Sequence, residues 1–174
     1  MAAVAELRSL AGLALMSFDV LLLKFDRDDP VCALPEDAFH DVIHRHDARR
    51  RDEHFYDIRL QDGSSVEVQR VYARPPNSSR FTSAMFMIGG MSESVVRLLF
   101  DCAQATGGVL IPAADPSPCI MVDVSQRDEL PANFTQPLAE CHSAEELARL
   151  LRSGYQAWSQ YRDQIVRAHD RPAG

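Results

Sequence analysis

Three histidines, His40, His44 and His46, fall within one short stretch, and the first two stand four residues apart. On a helix that spacing puts both imidazoles on one face, as zinc ligands commonly are. Position 41 is Asp rather than the Glu of an HExxH motif. Asp37 and Asp41 would have to complete a metal site, and nothing in their spacing requires it. The stretch therefore reads as the exposed edge of a helix shared with Arg45, Arg49 and Arg50. No metal and no cofactor are expected, and a metal-dependent hydrolase ranks behind two other functions.

Gly89, Gly90, Met91 and Ser92 join a strand to a helix, where backbone amides can hold an anion. The lysine of a phosphate loop and the third glycine of a dinucleotide fingerprint are missing. GxSxG around Ser92 is also absent, so Ser92 is expected to cap the helix. Gly89, Gly90 and Ser92 are the ligand-binding candidates if the chain senses a small anion on a ferredoxin-like sheet.

Asp26, Asp28 and Asp29 begin like an oxygen-rich cation loop, yet Pro30 interrupts it and the Gly and terminal Glu of an EF-hand do not follow. A second polar group, Asp123, Ser125, Arg127, Asp128 and Glu129, follows the last apolar run. An acid–base pair can be drawn from it, but no histidine partner is assigned, so no catalytic residue is expected. Both groups read better as a surface for a basic protein partner. Its contacts would be Asp26, Asp28, Asp29, Asp123, Arg127, Asp128 and Glu129, with Met121 and Phe134 adding apolar area. The four cysteines, Cys32, Cys102, Cys119 and Cys141, fit no CxxC pair and read as free thiols in a reducing compartment.

The elements that must position these groups follow from patterning. Phe18–Phe25 is an apolar run broken only by Lys24, as in a central strand buried on both faces. Pro35, Glu36 and Asp37 open a helix whose apolar face is Ala38, Phe39, Val42 and Ile43. Residues 54–60 and 65–72 alternate around Asp62-Gly63, a hairpin signal. A strand over 81–88 leads to a helix over about 93–105, ended by Gly107-Gly108. Strands over 109–112 and 120–124 come next, then an irregular loop held by Pro131 and Pro137. Ser143 and Glu146 make a capping box for a long last helix, with Leu147, Leu150, Leu151, Tyr155, Trp158, Tyr161 and Ile165 on one side. The fold class is α+β: a single mixed or antiparallel sheet with helices mainly on one face and the C-terminal helix packed on the body. The divisions are residues 1–15, a short helix through Val4, Leu7, Leu10, Ala11 and Ala14 or an extension ahead of Met16; a body over 16–140; and the helix over 141–170.

At 174 residues and 46% hydrophobic, the chain suits one domain with a real core. Its 18 basic and 25 acidic residues give a formal charge of -7. The one basic stretch, Arg45–Arg51, is interleaved with Asp47 and followed by Asp52 and Glu53, so no nucleic-acid partner is expected. The N-terminus lacks the basic start and cleavage pattern of a signal peptide. No membrane contact is expected, and the expected location is the cytoplasm.

FDVLLLKFD near the start, GGMSESVVRLLFDCAQATGGVLIPA in the middle, RDELP after the last strand and GYQAWSQYRDQI at the end resemble small bacterial immunity proteins. These are encoded beside toxins of contact-dependent or type VI secretion systems. The resemblance covers about 145 residues and implies a cytoplasmic, non-catalytic protein that covers a toxin's active site. The leading expectation is therefore a toxin-neutralising binding protein, not an enzyme, with a homodimer possible. The anion sensor comes second.

Overall fold

The structure, a computed structural model, describes residues 17–27, 32–73, 80–114 and 117–169, the last six as helical backbone only. Eight strands form one sheet: β1 (Phe18–Leu23), β2 (Ala48–Arg50), β3 (Phe55–Arg59), β4 (Ser65–Ala73), β5 (Arg80–Ile88), β6 (Val109–Pro112), β7 (Cys119–Met121) and β8 (Leu138–Glu140). Their spatial order is β2-β3-β4-β5-β1-β6-β7-β8. The helices are α1 (Glu36–Arg45), α2 (Glu93–Thr106) and α3 (Ala144–His169). All neighbouring strands are antiparallel except β7 and β8, so the sheet is mixed and the fold is α+β. The succession β1-α1-β4-β5-α2-β6, with order β4-β5-β1-β6, is the split βαβ arrangement of ferredoxin-like sheets. A β2–β3 hairpin widens it at one edge, and β7 and β8 widen it at the other.

Successive side chains of β1 point to opposite faces. Phe18, Val20 and Leu22 join Phe39, Val42 and Ile43 of α1, Val95, Leu98 and Leu99 of α2, and Leu147 and Leu151 of α3 in the main core. Each such burial is worth about 1.5–3 kcal/mol. Leu110 and Ile120 belong to that face. Their neighbours Val109, Cys119 and Met121 turn the other way and form, with Phe25, a smaller core covered by Leu130 and Phe134. The loop after β7 is thus packed on the face the helices leave.

The helix ends follow local chemistry. The Ser92 hydroxyl accepts the Val95 N–H at 3.3 Å, and α2 ends in left-handed Gly107 at φ 60°. Ser143 Oγ accepts the Glu146 N–H at 3.2 Å, and Glu146 reaches one residue past the cap, to the His142 N–H at 2.7 Å. Tyr155 and Trp158 are half-buried against Phe18, with ring centroids 5.6 and 6.1 Å away. Tyr161, expected on the same side, is 53% exposed.

Four expectations are corrected. The strand expected over 120–124 runs instead over Cys119–Met121, because Asp123 accepts the Ser125 N–H and starts a 3-10 turn, Val124–Arg127. The irregular loop ends in a strand, β8, parallel to β7. Arg49 and Arg50 do not share the helix of His40 and His44: α1 stops at Arg45, Asp47 takes a φ of 57°, and both arginines lie on the edge strand β2. His40 is half-buried rather than on an exposed edge. Residues 1–15, Asp28, Asp29, the loop over 75–79 and the turn at Asp115 and Pro116 lie outside the described residues. Among those described, no helix is long and apolar enough to cross a membrane.

Candidate functional site

Leu23 pairs with Val109, and Val109 with Met121, so β1 and β7, on either side of β6, finish at the same end of the sheet. The turn leaving β1 therefore meets the loop leaving β7. Gln126, 97% buried by its 3% exposure, accepts the Phe25 N–H on its side-chain oxygen at 3.0 Å. The Arg27 N–H donates to Glu129 Oε2 at 3.2 Å, and its guanidinium donates to the Asp128 carbonyl. Phe25 and Phe134 stack edge-on at 5.4 Å beneath them. Asp123 sits below the usual carboxylate range, held first by the Ser125 hydroxyl and N–H and then by Lys24. Arg127 pairs with Glu140 of β8 at 2.6 Å. Val124, the first residue of the 3-10 turn and next to Asp123, is 51% exposed.

Of the seven contacts expected from sequence, Asp26, Asp123, Arg127, Asp128 and Glu129 thus lie in two segments that meet at one end of the sheet. Met121 is buried in the smaller core, and Phe134 is half-buried against it. What the arrangement can do chemically is present an exposed apolar residue together with a mostly acidic set of side chains, on a loop fixed by a buried amide.

At the start of α2, Ser92 caps the helix as expected, but the Asp62 carboxylate already stands beside it. Asp62 Oδ1 accepts the Ser64 hydroxyl and N–H at 2.5 and 2.9 Å, and the Ser64 and Ser92 hydroxyls are 3.0 Å apart. These hydroxyls, Ser64 first and Ser92 second, hold Asp62 well below the ordinary carboxylate range. A Cβ at Gly89 or Gly90 would meet nothing within 4 Å, and neither has a positive φ. A native anion therefore faces this helix start, and neither glycine is imposed by space.

The histidines do not converge. His40 and His44 have ring centroids 6.0 Å apart, while His46, just beyond α1, reaches Asp101 of α2 at 3.4 Å. Asp37 and Asp41 are exposed. Among the described residues no three His, Cys, Asp or Glu gather as a metal site.

His40 belongs instead to a network that sequence reasoning missed. Arg70 of β4, its side chain only 4% exposed, lies between the rings of Tyr56 and Tyr72 at 5.2 and 5.3 Å. Its Nη1 donates to Glu36 Oε1 and to His40 Nε2, both at 2.8 Å, and its Nη2 to the Glu53 carbonyl. Its Nε is buried with no hydrogen-bond partner among the described residues. Tyr72 adds its hydroxyl to Glu36 Oε1 at 3.0 Å. One signal for Arg70 was available: it continues the inward alternation Val66, Val68, Arg70 on β4.

No protein-family model, curated protein or solved structure matches this chain.

Proposed function

We propose that this chain is a non-catalytic binding protein of the cytoplasm that neutralises a cognate bacterial toxin by covering it, in the manner of an immunity protein. The observation that supports this reading most is the buried Gln126–Phe25 bond, which joins the two acidic segments into one preformed surface. A surface fixed before encounter loses little conformational freedom on binding, so more of its contact energy appears as affinity. Asp123, Asp128 and Glu129 steer a basic partner and raise the association rate. Val124, an exposed aliphatic residue on the same loop, slows dissociation by burying apolar area against the partner. A formal charge of -7 favours a basic partner over nucleic acid.

The test is co-purification with the toxin domain encoded by a neighbouring gene, together with survival of cells expressing that domain. A stable complex weakened by Val124→Asp supports the reading. Substrate turnover by the pure protein, lost on replacing one of its own side chains, ends it.

A further inference from the structure

Arg70 connects three parts of the fold through two nitrogen atoms. Both acceptors of its Nη1, Glu36 Oε1 and His40 Nε2, come from α1, whereas Nη2 bonds the Glu53 carbonyl in the turn between β2 and β3. A guanidinium only donates. His40 Nε2 must therefore offer a lone pair, and His40 is neutral in this arrangement. The same nitrogen lies 3.8 Å from Glu36 Oε1, one helical turn away.

We infer that His40 and Arg70 form a pH-sensitive latch, in which a protonated His40 takes Glu36 Oε1 from Arg70 and loosens α1 from strand β4, leaving the Tyr72–Glu36 bond as the tie between them. Protonation removes the lone pair that Arg70 uses and sets two cations side by side. The adjacent carboxylate can then accept from the imidazolium, and Nη1 loses both its partners. Its Nε is already buried with no partner among the described residues.

The groups facing His40 from every side set the pH at which this exchange occurs. Arg70 of β4 and His44 of α1 oppose a charge on it, Glu36 and Asp37 of α1 favour one, and burial opposes it most. Tyr56 of β3 approaches at 3.4 Å and can either donate or accept. Tyr72 of β4 bonds the same Glu36 oxygen and keeps it in place as the shared acceptor.

His40 sits below the ordinary imidazole value of 6.5 in the fold, so the unfolded chain takes up the proton first. Stability is then full above that value and falls as the pH drops from it toward the folded value. One such group changes the unfolding constant by at most about tenfold per pH unit.

Urea unfolding of wild type, His40→Gln and His44→Gln between pH 8 and pH 4.5, with the His40 ring signal followed by NMR, tests the latch. Gln offers an acceptor oxygen that does not titrate. The expected result is an acid loss of stability below pH 6.5 in wild type and His44→Gln that is smaller in His40→Gln, with His40 titrating below the ordinary range. An undiminished acid loss in His40→Gln, or a His40 ring that titrates at or above its ordinary value, overturns it. Should His40→Gln not fold, the ring titration of wild type decides alone.

Discussion

Gln126 keeps its side-chain oxygen 3.0 Å from the backbone nitrogen of Phe25, inside the protein and 101 residues away along the chain. This one bond satisfies a buried amide in the turn after β1 and fixes the loop after β7. Replacing Gln126 by Leu keeps its bulk and orphans the Phe25 N–H. The expected loss is about 1–3 kcal/mol, the cost of a buried unsatisfied donor. Thermal unfolding measures it, and binding to the partner should weaken beyond what the unfolded fraction explains, because the surface is no longer preformed.

Among the described residues the Asp128 side chain has no hydrogen-bond partner; it is the Asp128 carbonyl that Arg27 uses. Asp128→Lys therefore changes charge with little change in structure. Association with a basic partner should slow by about threefold to tenfold at low salt, with dissociation less affected. The difference should shrink as salt is added. Stopped-flow or surface-based kinetics at two ionic strengths checks both parts, and equal association rates remove this loop from the interface.

How far the chain was legible depended on how local each signal was. The central strand, the Asp62-Gly63 hairpin, the Ser92 and Ser143 caps and Gly107 could all be read because each is set within a few residues. Strand β8 could not, since Leu138–Glu140 has no β-branched residue and is held by pairing with Cys119–Met121. Arg70 escaped for a different reason. Arginine is rarely buried, and its acceptors Glu36 and His40 lie 34 and 30 residues away, so only the folded chain brings them together. The acidic turn and the Asp123–Glu129 loop were each legible as polar, but their meeting depended on strand order.

Arg70→Met keeps an unbranched stem between the two tyrosine rings and removes every donor. The fold should lose about 2–4 kcal/mol, from charged hydrogen bonds and from the contacts with Tyr56 and Tyr72. Urea unfolding gives the value. A change within a few tenths of a kcal/mol would mean that the Arg70 bonds add nothing net to holding α1.

Burial, reinforced by the bond to Glu36, raises the Tyr72 phenol to about 12. The unfolded phenol ionises near 10, so the unfolded chain releases its proton first as the pH climbs. Stability from this group is complete below pH 10 and is lost between there and about 12. Tyr72→Phe should remove that part of the alkaline loss while costing about 1 kcal/mol at neutral pH. Unfolding midpoints of both proteins at pH 8 and pH 11 give the comparison.

A left-handed residue follows each of two helices, directly after α2 and one residue past the cap His46 of α1, and the two residues differ in kind. After α2 it is Gly107 at φ 60°, after α1 it is Asp47 at φ 57°. A side chain at such an angle crowds the neighbouring carbonyl, a strain of about 1 kcal/mol that glycine avoids. A Cβ on Gly107 would have room, 3.7 Å from both the Lys24 amine and the Asp123 carboxylate, so any cost there is conformational rather than steric contact with neighbours. Gly107→Ala should therefore destabilise by about 1 kcal/mol. Asp47→Gly, at a site whose N–H already bonds the His44 carbonyl at 3.2 Å, should stabilise by a smaller amount. Opposite signs in thermal unfolding are the expected result. Equal signs would show that Asp47 gains from its side chain what it loses in backbone strain.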